Sequence, residues 1–267
     1  MVRLKLLNIR SKYPNVVGNI NTPIQTFEDA RQPVISPLDV DLSYLRVVIS
    51  YSLYGNACKY IEGLIINCKL INLHFPDFWI YVFVGNDFDH SILSRLETFN
   101  NIKIIETAMS GHINMFYRFS AIDHDEVGIA FSRDCDSYVN QRDRYCIQKF
   151  LESNKKFQII RDHEFHVTEI LGGLWAIKKG MLHLKIIDKV NEFFYSRNGF
   201  IQYGNDQHFL TKEIYPHVRD YSQIFDDFFQ FPGESPEKIV GIPYEPYNHV
   251  GVAAMFINYP DIDLTQV

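Results

Sequence analysis

The sequence predicts an α/β fold, a mostly parallel central sheet flanked by helices, and three observations carry that prediction. Short β-branched runs recur along the chain, and most are followed by segments with apolar residues at three- and four-residue steps. An acidic pair, Asp134 and Asp136, stands where one apolar run ends. Strands alternating with helices of this length make βαβ units, and ligands of such sheets bind beyond the carboxyl ends of the strands.

The elements follow in order. Residues 46–51 (RVVISY) form a β-branched run that closes in a turn-rich segment, the pattern of a buried first strand. Ile61, Leu64, Ile65, Cys68 and Ile71 then mark one face of a helix, and residues 79–84 supply a second strand. Asp89 is placed to cap a helix carrying Ile92, Leu93, Leu96 and Phe99, before a third strand at 102–105. A helix through Met115, Phe116 and Phe119 leads into a strand that ends at Asp134. Asn140 reads as an N-cap with Asp143 three positions on, and Ile147, Phe150 and Leu151 form the inward face of the next helix. A strand at 157–160 runs into the polar cluster 161–166, and a glycine pair, Gly172 and Gly173, precedes an aromatic strand at 174–177. No linker, repeat or low-complexity tract divides residues 45–267, so one domain is expected there. Residues 1–44 differ, with Pro14, Pro23, Pro33 and Pro37 among polar residues, and read as an N-terminal arm packed on that domain.

Composition narrows the function classes. With 46% hydrophobic residues in 267, the chain has material for a sizeable core. A net charge of -6 gives no basic footprint for nucleic acid or an anionic membrane. The N-terminus lacks an apolar core of signal-peptide length, and no run of about 18 apolar residues occurs, so a cytoplasmic protein without a membrane span is expected. Cys58, Cys68, Cys135 and Cys146 show no paired metal-ligand spacing and read as reduced, packed thiols.

The acidic pair carries the chemistry. On an extended segment Asp134 and Asp136 project to one side and Cys135 to the other. Hard divalent cations such as Mn2+ or Mg2+ take carboxylate oxygens and complete their shell with phosphates and water. A surface turn fits the spacing equally well. Asp206 reads as the N-cap of a helix beginning at Gln207. Arg118, set off from the apolar face of its helix, reads as a surface residue or as a partner of Asp123 or Glu126.

The ordered set Arg133-Asp134-Cys135-Asp136-Ser137, Gln141-Arg142-Asp143, Arg161-Asp162-His163, Gly172-Gly173-Leu174-Trp175 and Asp206-Gln207 resembles a group of glycan-building, nucleotide-sugar glycosyltransferases of the GT-A fold. The likeness spans residues 46–215, with Asp143 where related chains often carry Glu. It implies a single Rossmann-like GT-A domain, a UDP-sugar donor, a glycan or other hydroxyl acceptor, and a Mn2+ or Mg2+ ion at Asp-x-Asp. Asp136 is then the direct metal ligand, and Asp134 contacts the ribose or donor sugar and reaches the metal through water. Ser50, Tyr51 and Ser52 are expected to hold base and ribose, with Tyr51 reading equally well as core. Arg118, His163, Gly173 and Trp175 complete the expected donor site, although Trp175 alone reads as core. His249 is a further metal-ligand candidate for a retaining enzyme. Asp206 is the expected base of an inverting enzyme, and in a retaining one the same region supports the donor sugar.

Two other classes share parts of the pattern. A haloacid-dehalogenase-like phosphatase would use Asp134 as nucleophile, but its motif follows an unbroken apolar run on an early strand, whereas Ser132-Arg133 intervene here. A noncatalytic carbohydrate-binding protein would suit the 15% aromatic content, which ordinary cores also explain.

Overall fold

The computed structural model describes residues 36–55 and 58–253. Residues 1–35 of the expected arm lie outside the described residues. Of residues 36–44, Leu38 N–H donates to Gly180 O at 2.8 Å, and Asp39 lies 3.6 Å from Lys156.

The strands are β1 (Arg46–Leu53), β2 (Trp79–Val84), β3 (Ile102–Glu106), β4 (Val127–Ser132), β5 (Phe157–Arg161), β6 (Trp175–Lys178) and β7 (Ser222–Asp226). They form one sheet in the order β3-β2-β1-β4-β6-β5-β7. All neighbours are parallel except β6, which runs antiparallel to both β4 and β5. The architecture is therefore the mostly parallel, helix-flanked α/β sheet that the sequence predicts.

Side-chain alternation along each strand divides the core into two layers. Val48 of β1 joins Tyr81, Phe116, Phe119 and Trp175 on one face, while Ile49, Tyr51 and Leu53 meet the helix α1 (Cys58–His74) on the other. Of the residues whose spacing predicts α1, Ile61, Leu64, Cys68 and Ile71 are buried in that second layer, and Ile65 packs against it half-buried.

The remaining helices are α2 (Asn114–Tyr117), α3 (Gln141–Glu152), α4 (Ile186–Ser196), α5 (Asn205–Phe209) and α6 (Tyr215–Val218). Asn140 caps α3 as expected, accepting from Asp143 N–H at 2.9 Å. Elsewhere the local form differs from the expectation. The helix after Asp89 is a six-residue 3-10 turn, His90–Arg95, although Asp89 does cap it by accepting from Ser91 N–H. The helix before β4 is α2 flanked by 3-10 turns, Gly111–Ile113 and Arg118–Asp123. Asp206 is not an N-cap: Gly204, at φ 83°, occupies that position and leaves Asp206 in the first turn of α5.

Three buried arginines, each paired with acids, tie the carboxyl ends of the strands together. Arg133 forks onto Asp143 at 2.7 and 3.0 Å, Arg142 onto Asp162, and Arg161 onto Asp226 and Glu234. A guanidinium desolvated in this way needs carboxylate oxygens for its N–H donors, supplied by one bidentate acid at Arg133 and Arg142 and by two acids at Arg161. Each arginine in the recurring Arg-Asp dipeptides thus pairs with an acid from a later segment, not with its own neighbour.

Candidate functional site

Strand β4 stops at Ser132, so Asp134 and Asp136 stand in a turn rather than on the strand. The turn is closed by Ser137 N–H donating to Asp134 O at 3.2 Å. Asn67 of α1, fully buried, locks it: its amide donates to Cys135 O and Ser137 O at 3.3 and 2.8 Å and accepts from Val139 N–H at 3.1 Å. Cys135 turns into the core while both carboxylates face a cleft of about 300 Å³. The expected division of the motif is kept, although by a turn and not by pleating.

Close backbone approach makes this turn possible. A Cβ on Gly63 of α1 would overlap the carbonyl of Cys135, and one on Gly173 would overlap the Asp134 carboxylate. At Gly172 a Cβ would lie 2.5 Å from Asp206 Oδ2 and 2.7 Å from Arg118 Nη2. The antiparallel entry of β6 explains the placement. Trp175 pairs with Ser132 across the sheet, which brings the preceding glycines beside the end of β4. Ser132 Oγ fixes them there by donating to Gly172 O at 2.8 Å.

Charges are densely arranged around the cleft. Arg118, only 6% exposed, lies 3.0 Å from Asp134 and 3.4 Å from Asp206, neither of them the partner that its sequence neighbours suggest. Its Nε has no hydrogen-bond partner. Lys59 of α1 pairs with Asp136 at 3.0 Å. Three carboxylates therefore face two cations. Desolvation on the cleft floor pushes the Asp134 carboxyl up, Arg118 opposes it, and the charges of Asp206 and Asp136 add to the rise. Desolvation acts against the Arg118 cation, but Asp134 and Asp206 outweigh it and hold its pKa above the ordinary arginine value. The hydrogen bond to Asp136 raises Lys59.

Among the described residues no group of three or more His, Cys, Asp or Glu side chains is arranged to hold a metal ion. Asp134 and Asp136 nevertheless offer hard oxygen donors with Asp206 nearby. That set fits a Mg2+- or Mn2+-type ion, which retains water and substrate oxygens in its shell. The surplus of negative charge over Arg118 and Lys59 favours the same occupant.

The other expected site residues are divided. Ser52 lines the cleft, and its hydroxyl accepts from Arg118 N–H at 3.2 Å. Ser50 and Tyr51 do not reach it. Both are fully buried, with Ser50 Oγ 2.8 Å from Arg118 O and 3.1 Å from Phe131 O, and Tyr51 packed in the α1 layer. These side chains are in the core because β1 is covered on both faces. Trp175 is likewise core, 1% exposed and stacked on Phe157 at 5.3 Å.

His163 sits outside the cleft wall in a cluster with His166 and His249, its ring centroid 4.2 Å from that of His249. His166 is the member that lines the cleft. Burial and mutual repulsion hold His166 well below the ordinary histidine value, and burial also lowers His163 and His249.

Several site residues have no sequence signal. Lys59, Asn67 and Gly63 look like ordinary positions of an amphipathic helix. Tyr54, Tyr60 and Tyr203 line the cleft but resemble any aromatic in a chain rich in them. Segment 248–252 closes one side: Ser137 Oγ donates to Gly251 O, Asn140 donates to Asn248 O and His249 O, and Val250 N–H donates to Asp162.

No family model and no curated relative matches the chain. Solved structures to which it is similar include the galactosyltransferase LgtC in complex with donor and acceptor sugar analogues, at 12% identity, 67% of this chain, 73% of that chain and a TM-score of 0.48. The mannosyltransferase PcManGT from Pyrobaculum calidifontis, in complex with GDP-Man and Mn2+, shares 15% identity over 78% of this chain and 60% of that one, with a TM-score of 0.45. The 4-diphosphocytidyl-2C-methyl-D-erythritol synthase from Anaerococcus prevotii shares 10% identity over 67% of this chain and 86% of that one, with a TM-score of 0.43. Among the described residues no helix is long and apolar enough to cross a membrane.

Proposed function

We propose that this chain is a metal-dependent glycosyltransferase of the GT-A type, moving a sugar from a nucleoside diphosphate, UDP by preference, to a glycan or other hydroxyl acceptor. One observation carries the reading. Asp134, Asp136 and Asp206 converge with Arg118 and Lys59 on a single cleft beyond the carboxyl ends of β1 and β4.

Glycosyl transfer needs stabilisation of a departing diphosphate, and a divalent ion at Asp136 and Asp134 would supply it as a Lewis acid. Lys59 and Arg118 are the chain's own cations at the same place. Arg118 lines the cleft and is pre-oriented by Asp134 and Asp206. Asp206, 6% exposed and in the first turn of α5, would receive the acceptor hydroxyl's proton. The hydroxyl oxygen would then bond to the anomeric carbon as the diphosphate leaves with the bonding pair. Gly172 and Gly173 keep that corner open, because any side chain there would occupy the space of the two carboxylates.

UDP with Mn2+ should raise the melting temperature, and Asp136→Ala should lose that response, since a ligand bound only by the folded state stabilises it. An unchanged melting temperature across nucleotides and metals would overturn the donor-site reading. Release of inorganic phosphate from simple esters would point to a phosphatase, and pyrophosphate release from a nucleoside triphosphate to a nucleotidyltransferase. NMR of the first-formed product tests Asp206 separately. Inversion at the anomeric carbon is expected, and a retained configuration would remove the base role.

A further inference from the structure

We propose that the mouth of the cleft is an acceptor subsite for a pyranose sugar, with Tyr203 as its stacking platform. The inference rests on the donor reading of the same cleft and extends it to the second substrate.

Tyr203 is 81% exposed, yet it lines the cleft beside Asp206 and Gln207. Its turn is closed by hydrogen bonds on both sides. Gln202 N–H donates to Asn205 Oδ1 at 3.0 Å, and Asn205 N–H donates back to Gln202 O at 3.1 Å. Gly204, at φ 83°, completes this turn in a backbone region that side chains rarely adopt. The turn thus carries the ring at the opening of the cleft.

A wall of this kind selects by shape and polarity together. Tyr203, with Tyr54 and Tyr60, brings aromatic surface to a cleft whose remaining walls carry Asp134, Asp136, Asp206 and Lys59. A pyranose has one face of C–H groups and an edge of hydroxyls. Its C–H face can cover an aromatic ring while a hydroxyl reaches Asp206 and another reaches Gln207. An aromatic side chain with a polar tip suits both contacts.

Saturation-transfer NMR on the full chain, with UDP and Mn2+ present, tests the subsite. The probes are methyl glucopyranosides, galactopyranosides, mannopyranosides and xylopyranosides, with sorbitol and 1-octanol as controls. At least one pyranoside should bind with its C–H face saturated most strongly. Tyr203→Ala should weaken it about tenfold, within the range for removing an aromatic stacking partner, and Tyr203→Phe should stay within about threefold. The UDP–Mn2+ melting shift should be the same in all three proteins. Equal pyranoside binding by wild type and Tyr203→Ala overturns the proposal. So does the absence of pyranoside binding where the UDP–Mn2+ shift persists, or binding of sorbitol or octanol in its place. Loss of the UDP–Mn2+ response in the wild type is a failure of the donor reading alone, and Tyr203-dependent pyranoside binding would survive it.

Discussion

Replacing Gly173 by alanine adds one methyl group at the most crowded point of the site. That carbon would overlap the Asp134 carboxylate, lie 2.6 Å from its Cγ and stand 2.9 Å from the Asp134 backbone nitrogen. The carboxylate can swing away, because its side chain is 41% exposed, but only by leaving Arg118. The backbone nitrogen cannot move without disturbing the turn that Asn67 holds. Gly173 does not have a positive φ, so steric conflict is the sole source of strain. Overpacking of this kind costs about 1–3 kcal/mol. For a domain of this size, roughly 2–4 °C per kcal/mol gives a melting-temperature fall of roughly 2–12 °C. The displaced Asp134 should also abolish the UDP–Mn2+ melting shift. Urea unfolding and thermal melts with and without ligand measure both effects. Gly111→Ala is the control: it has a positive φ and open space around it, so it should cost about 1 kcal/mol and leave the ligand response intact. A Gly173→Ala protein with the wild-type urea midpoint and an undiminished ligand shift would refute the close-approach argument.

Two further perturbations address the surroundings. Asp162→Ala removes the fork on Arg142 and the acceptor of Val250 N–H, while Asp227 stays 3.0 Å from Arg142. The loss should be about 3 kcal/mol, the low end for breaking a buried pair, with faster amide exchange at Val250; wild-type exchange there would contradict the clamp. The histidine cluster gives a pH dependence. His163, His166 and His249 have folded pKa values below the ordinary 6.5, so below that pH the unfolded chain binds more protons and stability falls. Asp134, whose value is raised, acts in the opposite sense, so the informative quantity is the difference between wild type and His166→Gln. The urea midpoint should fall less steeply from pH 7 towards pH 5 in the variant, and parallel curves would exclude the cluster as the source.

How far the site was legible follows from how each residue is positioned. Asp134 and Asp136 could be found from spacing and from the apolar run before them, because a strand end in an α/β sheet opens towards ligand. Asp206 and Arg118 were visible only through an ordered resemblance, and their pairing, across 88 residues of sequence, was not visible at all. Tyr51 and Trp175 show the converse. Their types suit a stacking platform, but strand alternation turns both rings into the core. Glycines were ambiguous for a similar reason. Gly172 and Gly173 read as a turn or as a close approach, and only the neighbouring carboxylates decide for close approach.

The Arg-Asp dipeptides carry the same lesson. Sequence presents Arg133-Asp134, Arg142-Asp143 and Arg161-Asp162 as three similar pairs, yet their acids have different roles. Asp143 and Asp162 neutralise buried arginines, while Asp134 faces the cleft. Local pattern, through periodicity and burial of apolar faces, was enough to determine the alternation of strands and helices and to single out the acidic pair, while β4 itself ends two residues short of Asp134. The antiparallel insertion of β6 between β4 and β5, and with it the meeting of the glycine pair, Arg118 and Asp206 around Asp134, depended on contacts between distant segments. Such contacts are selected by packing of the whole sheet, a property that no short window of sequence contains.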